Sequence, residues 1–222
     1  MLTGTCKKRA PVLKALYILN MSFLPETIYL IDSNQALVKA WESEFREYPN
    51  IIVLDDDYFS KPADCMVSPA NSFGYMDGGL DRAILYELGD DIQTLVQNSI
   101  RENYFGELPV GSSLIIETKN SDWPFLACAP TMRVPSNVSN TLNAYLAFKA
   151  ILFEIISKNQ AMPKSIRSLV CCGLATGIGG LDVSLCARQM KYAYELMLEK
   201  PKTLNPNEVY ESESFMRETT DV

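Results

Sequence analysis

Two glycine-rich segments carry the clearest chemical signal in this chain. One holds Gly74, Gly78 and Gly79, and the other runs from Gly173 to Leu181. Each follows a short apolar run and precedes residues with helical spacing. Glycine lets a backbone turn through positive φ and come close to a ligand. The helix that follows offers unpaired N–H groups and the positive end of its dipole. Two such loops, where they converge, suit a pyrophosphate; singly, each is also ordinary turn chemistry. The proton-handling groups around them are limited. The chain has 222 residues and no histidine, which removes serine–histidine and cysteine–histidine catalysis. Proton transfer near neutral pH then falls to carboxylates, lysine, tyrosine, cysteine or the substrate.

The cysteines are Cys6, Cys65, Cys128, Cys171, Cys172 and Cys186. None forms a C-x-x-C pair, and without histidine their spacing offers no zinc site. Neither a metal nor a separate cofactor is expected. Most of these cysteines lie in apolar stretches and read as reduced core thiols, which points to a reducing, cytoplasmic compartment.

The elements that would position the loops follow from the apolar pattern. Thr27 to Ile31 reads as a buried strand ending in the turn formers Asp32, Ser33 and Asn34. Leu37, Val38, Trp41 and Phe45 mark a helix over 35–48. Ile51 to Leu54 and Cys65 to Val67 are two further strands, the first stopping at Asp55-Asp56-Asp57. Leu80, Ile84, Leu88, Ile92, Val96 and Ile100 recur every four residues and predict one long helix. Strands follow at Ser113–Glu117 and Phe125–Ala129, then a helix through Leu142 to Ile155. The strand Ser168–Cys172 and a helix through Val183 to Met197 close the pattern. Strands alternating with helices imply right-handed crossovers and a mostly parallel sheet covered on both faces, a three-layer α/β/α arrangement. The strands are continuous apolar runs, as expected for burial on both faces.

Composition narrows the partners. The net charge is −7, from 20 basic and 27 acidic residues, which argues against coating duplex nucleic acid. No apolar run reaches the roughly 18 residues that span a bilayer, so no membrane partner is expected. An anionic ligand would be held by backbone N–H groups rather than a basic surface. Residues 1–22 read as a loosely attached extension, within which Met21 is an alternative start; 23–200 form the domain; and 201–222 are a polar tail expected to fray. The oligomeric state is left open.

With these residues in view, the chain resembles the macro domain family. Asp64 to Asn71, followed by Asp77-Gly78-Gly79-Leu80-Asp81-Arg82-Ala83-Ile84, is similar to the family's first signature. There a strand ends in asparagine and leads through glycines into a helix. Ala175-Thr176-Gly177-Ile178-Gly179-Gly180 resembles its second, phosphate-cradling loop. Pro109 to Ser112 and the strand closed by Pro130 match two weaker landmarks. The likeness spans residues 51 to about 198.

The resemblance implies a binding site for ADP-ribose or an ADP-ribosylated molecule. It assigns Asp57, fourteen residues before Asn71, to the adenine amino group, although an aspartate in a triplet also fits a solvated loop. Asn71 would contact the distal ribose, or simply satisfy its own turn. Asp81, ten residues later, would orient or activate water near the anomeric carbon, or stabilise a helix start. Gly78 and Gly79 would line the ribose, and Thr176, Gly177, Ile178, Gly179 and Gly180 the phosphates. The implied activity is hydrolysis at the distal ribose of a mono-ADP-ribosyl group or of ADP-ribose 1″-phosphate. The alternative is a module that only binds. A dinucleotide oxidoreductase is disfavoured because Asp32-Ser33-Asn34 lacks the glycine fingerprint.

Three departures from the family pattern stand out. Ser68 occupies the position of the strand's first asparagine. The second loop has Gly180 and Leu181 where many members place an aromatic ring. The first loop carries Tyr75, which could supply that ring or be an ordinary loop residue. The unit 27–48 lacks a certain counterpart and would add an edge strand.

Overall fold

Ile28, Leu30 and Ile31 are fully excluded from solvent, and they anchor the first strand, β1 (Thr27–Asp32). The computed structural model describes residues 23–199 and 203–218; the expected N-terminal extension, with Cys6 and Met21, lies outside them. After β1, Asn34 caps helix α1 (Gln35–Glu44) by accepting from the N–H groups of Ala36 and Leu37. An amide oxygen at this position satisfies donors that the helix leaves orphaned. Leu37, Val38 and Trp41 point this helix inward. Its regular part is shorter than the predicted 35–48, because Phe45 leaves helical geometry while staying buried.

Strand β2 (Ile51–Asp55) runs parallel to β1, with Ile28 opposite Ile51. The remaining strands are β3 (Cys65–Ser68), β4 (Leu114–Glu117), β5 (Phe125–Cys128) and β6 (Ser168–Cys171). They form one six-stranded sheet in the order β2-β1-β6-β3-β5-β4. Every pairing is parallel except β4 against β5. Strand β1, expected at an edge, is therefore interior, and the edge strand beside it is β2. All four residues of β3 are buried, the burial expected of a central strand covered on both faces.

The four-residue spacing from Leu80 to Ile100 does not make one helix. It makes two, α2 (Gly79–Leu88) and α3 (Asp91–Tyr104), separated at Gly89 with φ +93°. A glycine in that region ends a helix at little steric cost, and apolar spacing alone cannot register a break that keeps both faces inward. Helices α4 (Asn143–Ala161) and α5 (Val183–Leu198) follow. Helix α5 packs between α1 and α4, while α2 and α3 pack together. No helix among the described residues is long and apolar enough to cross a membrane.

The segment read as a fraying tail contains a sixth helix, α6 (Pro206–Arg217). Asn205 and Glu208 form a reciprocal capping box around Pro206, a start signal that is local and independent of an apolar stripe. Buried Met216 and the side chains of Arg188 and Gln189 dock its end: Arg188 donates to the carbonyls of Phe215 and Glu218, and Gln189 to that of Met216. The five described cysteines are all free and buried, as expected for core thiols. Replacing Asn205 with alanine removes one half of the capping box, worth about 1 kcal/mol. Amide exchange should then quicken across 206–217 and stay unchanged in β3.

Candidate ligand-binding site

The parallel register brings the carboxyl ends of β1, β3, β5 and β6 to one edge of the sheet, where a cavity of about 360 Å³ opens. Its volume falls within the usual range for small-molecule sites. Both glycine-rich loops line it. Of the residues expected to act, Asn71, Gly78, Gly79, Asp81, Thr176, Gly177, Ile178 and Gly179 are in its wall. Asp57 and Gly180 are not.

The first loop enters α2 without a side-chain cap. Gly78 is the N-cap, and among the described residues no side chain caps the first-turn amides. Those amides are left for an anion in the cavity. A side chain at Gly78, Gly79 or Gly177 would meet nothing within 4 Å, so these residues leave open room beside the backbone. After the second loop the helix end is not open as it is after the first. Helix α5 is capped by Asp182, whose carboxylate accepts from Ser184 and Leu185 N–H, so its dipole end is already occupied. The loop offers its own backbone instead. Gly180 and Leu181 donate back to Gly177 and Ala175 carbonyls, and Val138 donates to the Gly179 carbonyl at 2.8 Å. Among the described residues, none accepts from the N–H groups of Thr176, Gly177, Ile178 or Gly179. Gly179 permits this tight curl: a Cβ there would lie 2.4 Å from the Ala175 carbonyl oxygen.

Asp81 lies in the first turn of α2, and its Oδ1 accepts from Ser68 Oγ at 2.7 Å. Burial pushes its carboxyl up to about 6, opposed by the Ser68 hydroxyl and assisted by the negative charge of Asp77. Burial disfavours the charged form, and the result is a carboxylate poised near neutral pH. Ser68, read from sequence only as a departure, is 1% exposed and holds this carboxylate in place. Its position at the end of β3 was visible in the sequence; the partner thirteen residues away was not.

Asn71 is spent largely on its own loop. Its Oδ1 accepts from the N–H of Phe73 at 3.0 Å and of Tyr75 at 3.3 Å, and its Nδ2 donates to the Tyr75 carbonyl at 2.7 Å. An amide oxygen has two lone pairs and an amide nitrogen two hydrogens, so one N–H remains for a ligand.

Asp57 is exposed, and its Oδ1 accepts from Phe59 N–H at 2.9 Å. The neighbouring Tyr58 is buried and clamps its hydroxyl onto the Val67 backbone. Asp32, at the end of β1, occupies the cavity wall instead. Its Oδ1 accepts from Asn34 N–H and its Oδ2 from Gly173 N–H at 3.3 Å. The cavity thus holds Asp32, Asp77 and Asp81, and among the described residues no lysine or arginine lines it. The family resemblance favoured Asp57; the residue at the carboxyl end of β1 that lines the cavity is Asp32.

Residues 67–190 match the family model described as Macro domain, more than half of the chain, and this chain belongs to the macro domain family. An uncharacterized protein from Aquifex aeolicus is 29% identical over 142 residues, covering 64% of this chain and 78% of that protein. Among solved structures, the macrodomain of Mycobacterium tuberculosis DarG superposes with TM-score 0.54 at 18% identity, covering 65% of this chain and 89% of that one. A mutant Oceanobacillus iheyensis macrodomain solved with ADPR gives TM-score 0.53 at 18% identity, over 66% and 77% of the two chains. At such identities the structural likeness speaks for the fold.

The strained carboxyl yields a stability test. Asp81→Asn removes a charge that the fold tolerates poorly. The cost is absent below about pH 4, where the unfolded chain's carboxyl is protonated too, and complete above the folded value of about 6. At roughly 1.4 kcal/mol per pKa unit, less partial solvent screening, the variant should gain about 2 kcal/mol at pH 8 and little at pH 4. Denaturant melts at the two pH values measure it.

Proposed function

We propose that this cavity binds ADP-ribose or a close derivative and hydrolyses the bond at the anomeric carbon of its distal ribose. The observation that carries the reading is Asp81: a carboxylate raised to about 6, held by Ser68, beside an uncapped helix start. The pyrophosphate would be held by the free N–H groups of 176–179. Among the described residues aspartates and no lysine or arginine line the cavity, so directional amide dipoles would be the means. Asn71 would give the ribose its one remaining N–H. Asp81 would take a proton from water as the water oxygen bonds to the anomeric carbon. The bond from that carbon to the leaving oxygen breaks, and its electron pair departs with the leaving group. Positioning and preorganised dipoles would supply most of the rate.

For the base, Asp32 is better placed than Asp57. A carboxylate accepts from the exocyclic amine of adenine, and inosine offers an oxygen there. Wild type should therefore prefer ADP to inosine diphosphate in calorimetric titration. Asp32→Ala should lose that preference, and Asp57→Ala should keep it; the reverse pattern returns the role to Asp57.

Binding without turnover is the second reading, favoured by how much of the Asn71 amide is committed to its loop. Release of ADP-ribose from a mono-ADP-ribosylated protein, and of phosphate from ADP-ribose 1″-phosphate, separates the two. The expected kcat/KM rises with pH through a midpoint near 6, because the ionised carboxylate is the active form. Asp81→Asn should lower kcat by about 100-fold or more while binding persists. A wild type that binds ADP-ribose and releases nothing from either substrate leaves the binding module.

A further inference from the structure

Tyr75 combines two properties that rarely coincide. The residue is 56% exposed and lines the cavity, yet its backbone is held at both its N–H and its carbonyl by the Asn71 side chain. On one side Gly74 sits in a left-handed conformation, pressed so closely on α3 that a Cβ would lie 2.8 Å from Val96 Cγ1. On the other side Met76 is 1% exposed and donates its N–H to Gln93 Oε1 at 2.8 Å. With the backbone already fixed, a ligand in the cavity would order an aromatic side chain here at low cost, which is what a preorganised contact requires. The second loop has no ring to offer: Gly180 has no side chain, and Leu181 is 3% exposed, turned into the core.

We infer that Tyr75 is the specificity-determining residue for the second sugar, its ring covering the C–H face of the ribose that lies beside Asn71 and Asp81. The inference rests on the ADP-ribose reading and adds to it the residue that separates ADP-ribose from ADP. The ring does the work. No hydrogen bond among the described residues uses the Tyr75 hydroxyl, so phenylalanine should serve equally.

Calorimetric titration of wild type, Tyr75→Phe and Tyr75→Ala with ADP-ribose and with ADP tests it. Tyr75→Ala should weaken ADP-ribose by about five-fold, the usual scale of a ring contact, and leave ADP unchanged. Tyr75→Phe should match wild type with both ligands. The exposed position keeps folding intact, which an unchanged Tm verifies. Equal weakening of both ligands, no weakening of either, or a Tyr75→Phe that behaves like Tyr75→Ala overturns the inference. A wild type that binds neither ligand overturns the nucleotide reading itself, a result distinct from any of these.

Discussion

Strand β6 lies between β1 and β3, parallel to both, and the site depends on that placement. Parallel pairing puts the carboxyl ends of neighbouring strands at one edge, so loops far apart in sequence emerge side by side. The loop after β3 and the loop after β6 are about a hundred residues apart along the chain. Adjacency in the sheet turns them into two walls of one cavity. Without it, each would be a separate turn.

The cavity's chemistry is set by what it lacks in charge. Among the described residues three aspartates line it, and no basic side chain does. An anion entering must be met by oriented N–H groups, whose strength comes from fixed direction rather than net charge. The curl of the second loop supplies that direction, secured by Val138 on Gly179 and by a Cβ-free position. Burial, with the negative charge of Asp77 adding to it, lifts Asp81 toward neutral pH. A group costly to the fold is the one suited to exchanging a proton.

The two loops divide their work. The first is braced by the Asn71 side chain and by close packing on α3, and it carries Asp81 and Tyr75. The second braces itself through backbone bonds. Ser68 joins the first loop's helix to the central strand through one hydroxyl. The site is thus held by short bonds laid over a parallel sheet, while the N–H groups of Thr176, Gly177, Ile178 and Gly179 have no acceptor among the described residues.

Much of this was determined by residue order alone. Continuous apolar runs announced buried strands, Asn71 and Asp81 stood at recognisable spacings from the glycines, and the lack of histidine limited the chemistry. Those signals are local, and a chain states local preferences directly. What only the tertiary structure decided involves partners distant in sequence: Asp32 rather than Asp57 in the wall, Ser68 on Asp81, and β1 inside the sheet rather than at its edge. The break at Gly89 and the docking of α6 belong with them, because apolar spacing reports which face turns inward and not what it meets. Composition announces a strand; its neighbours are settled by packing between segments that the sequence writes far apart.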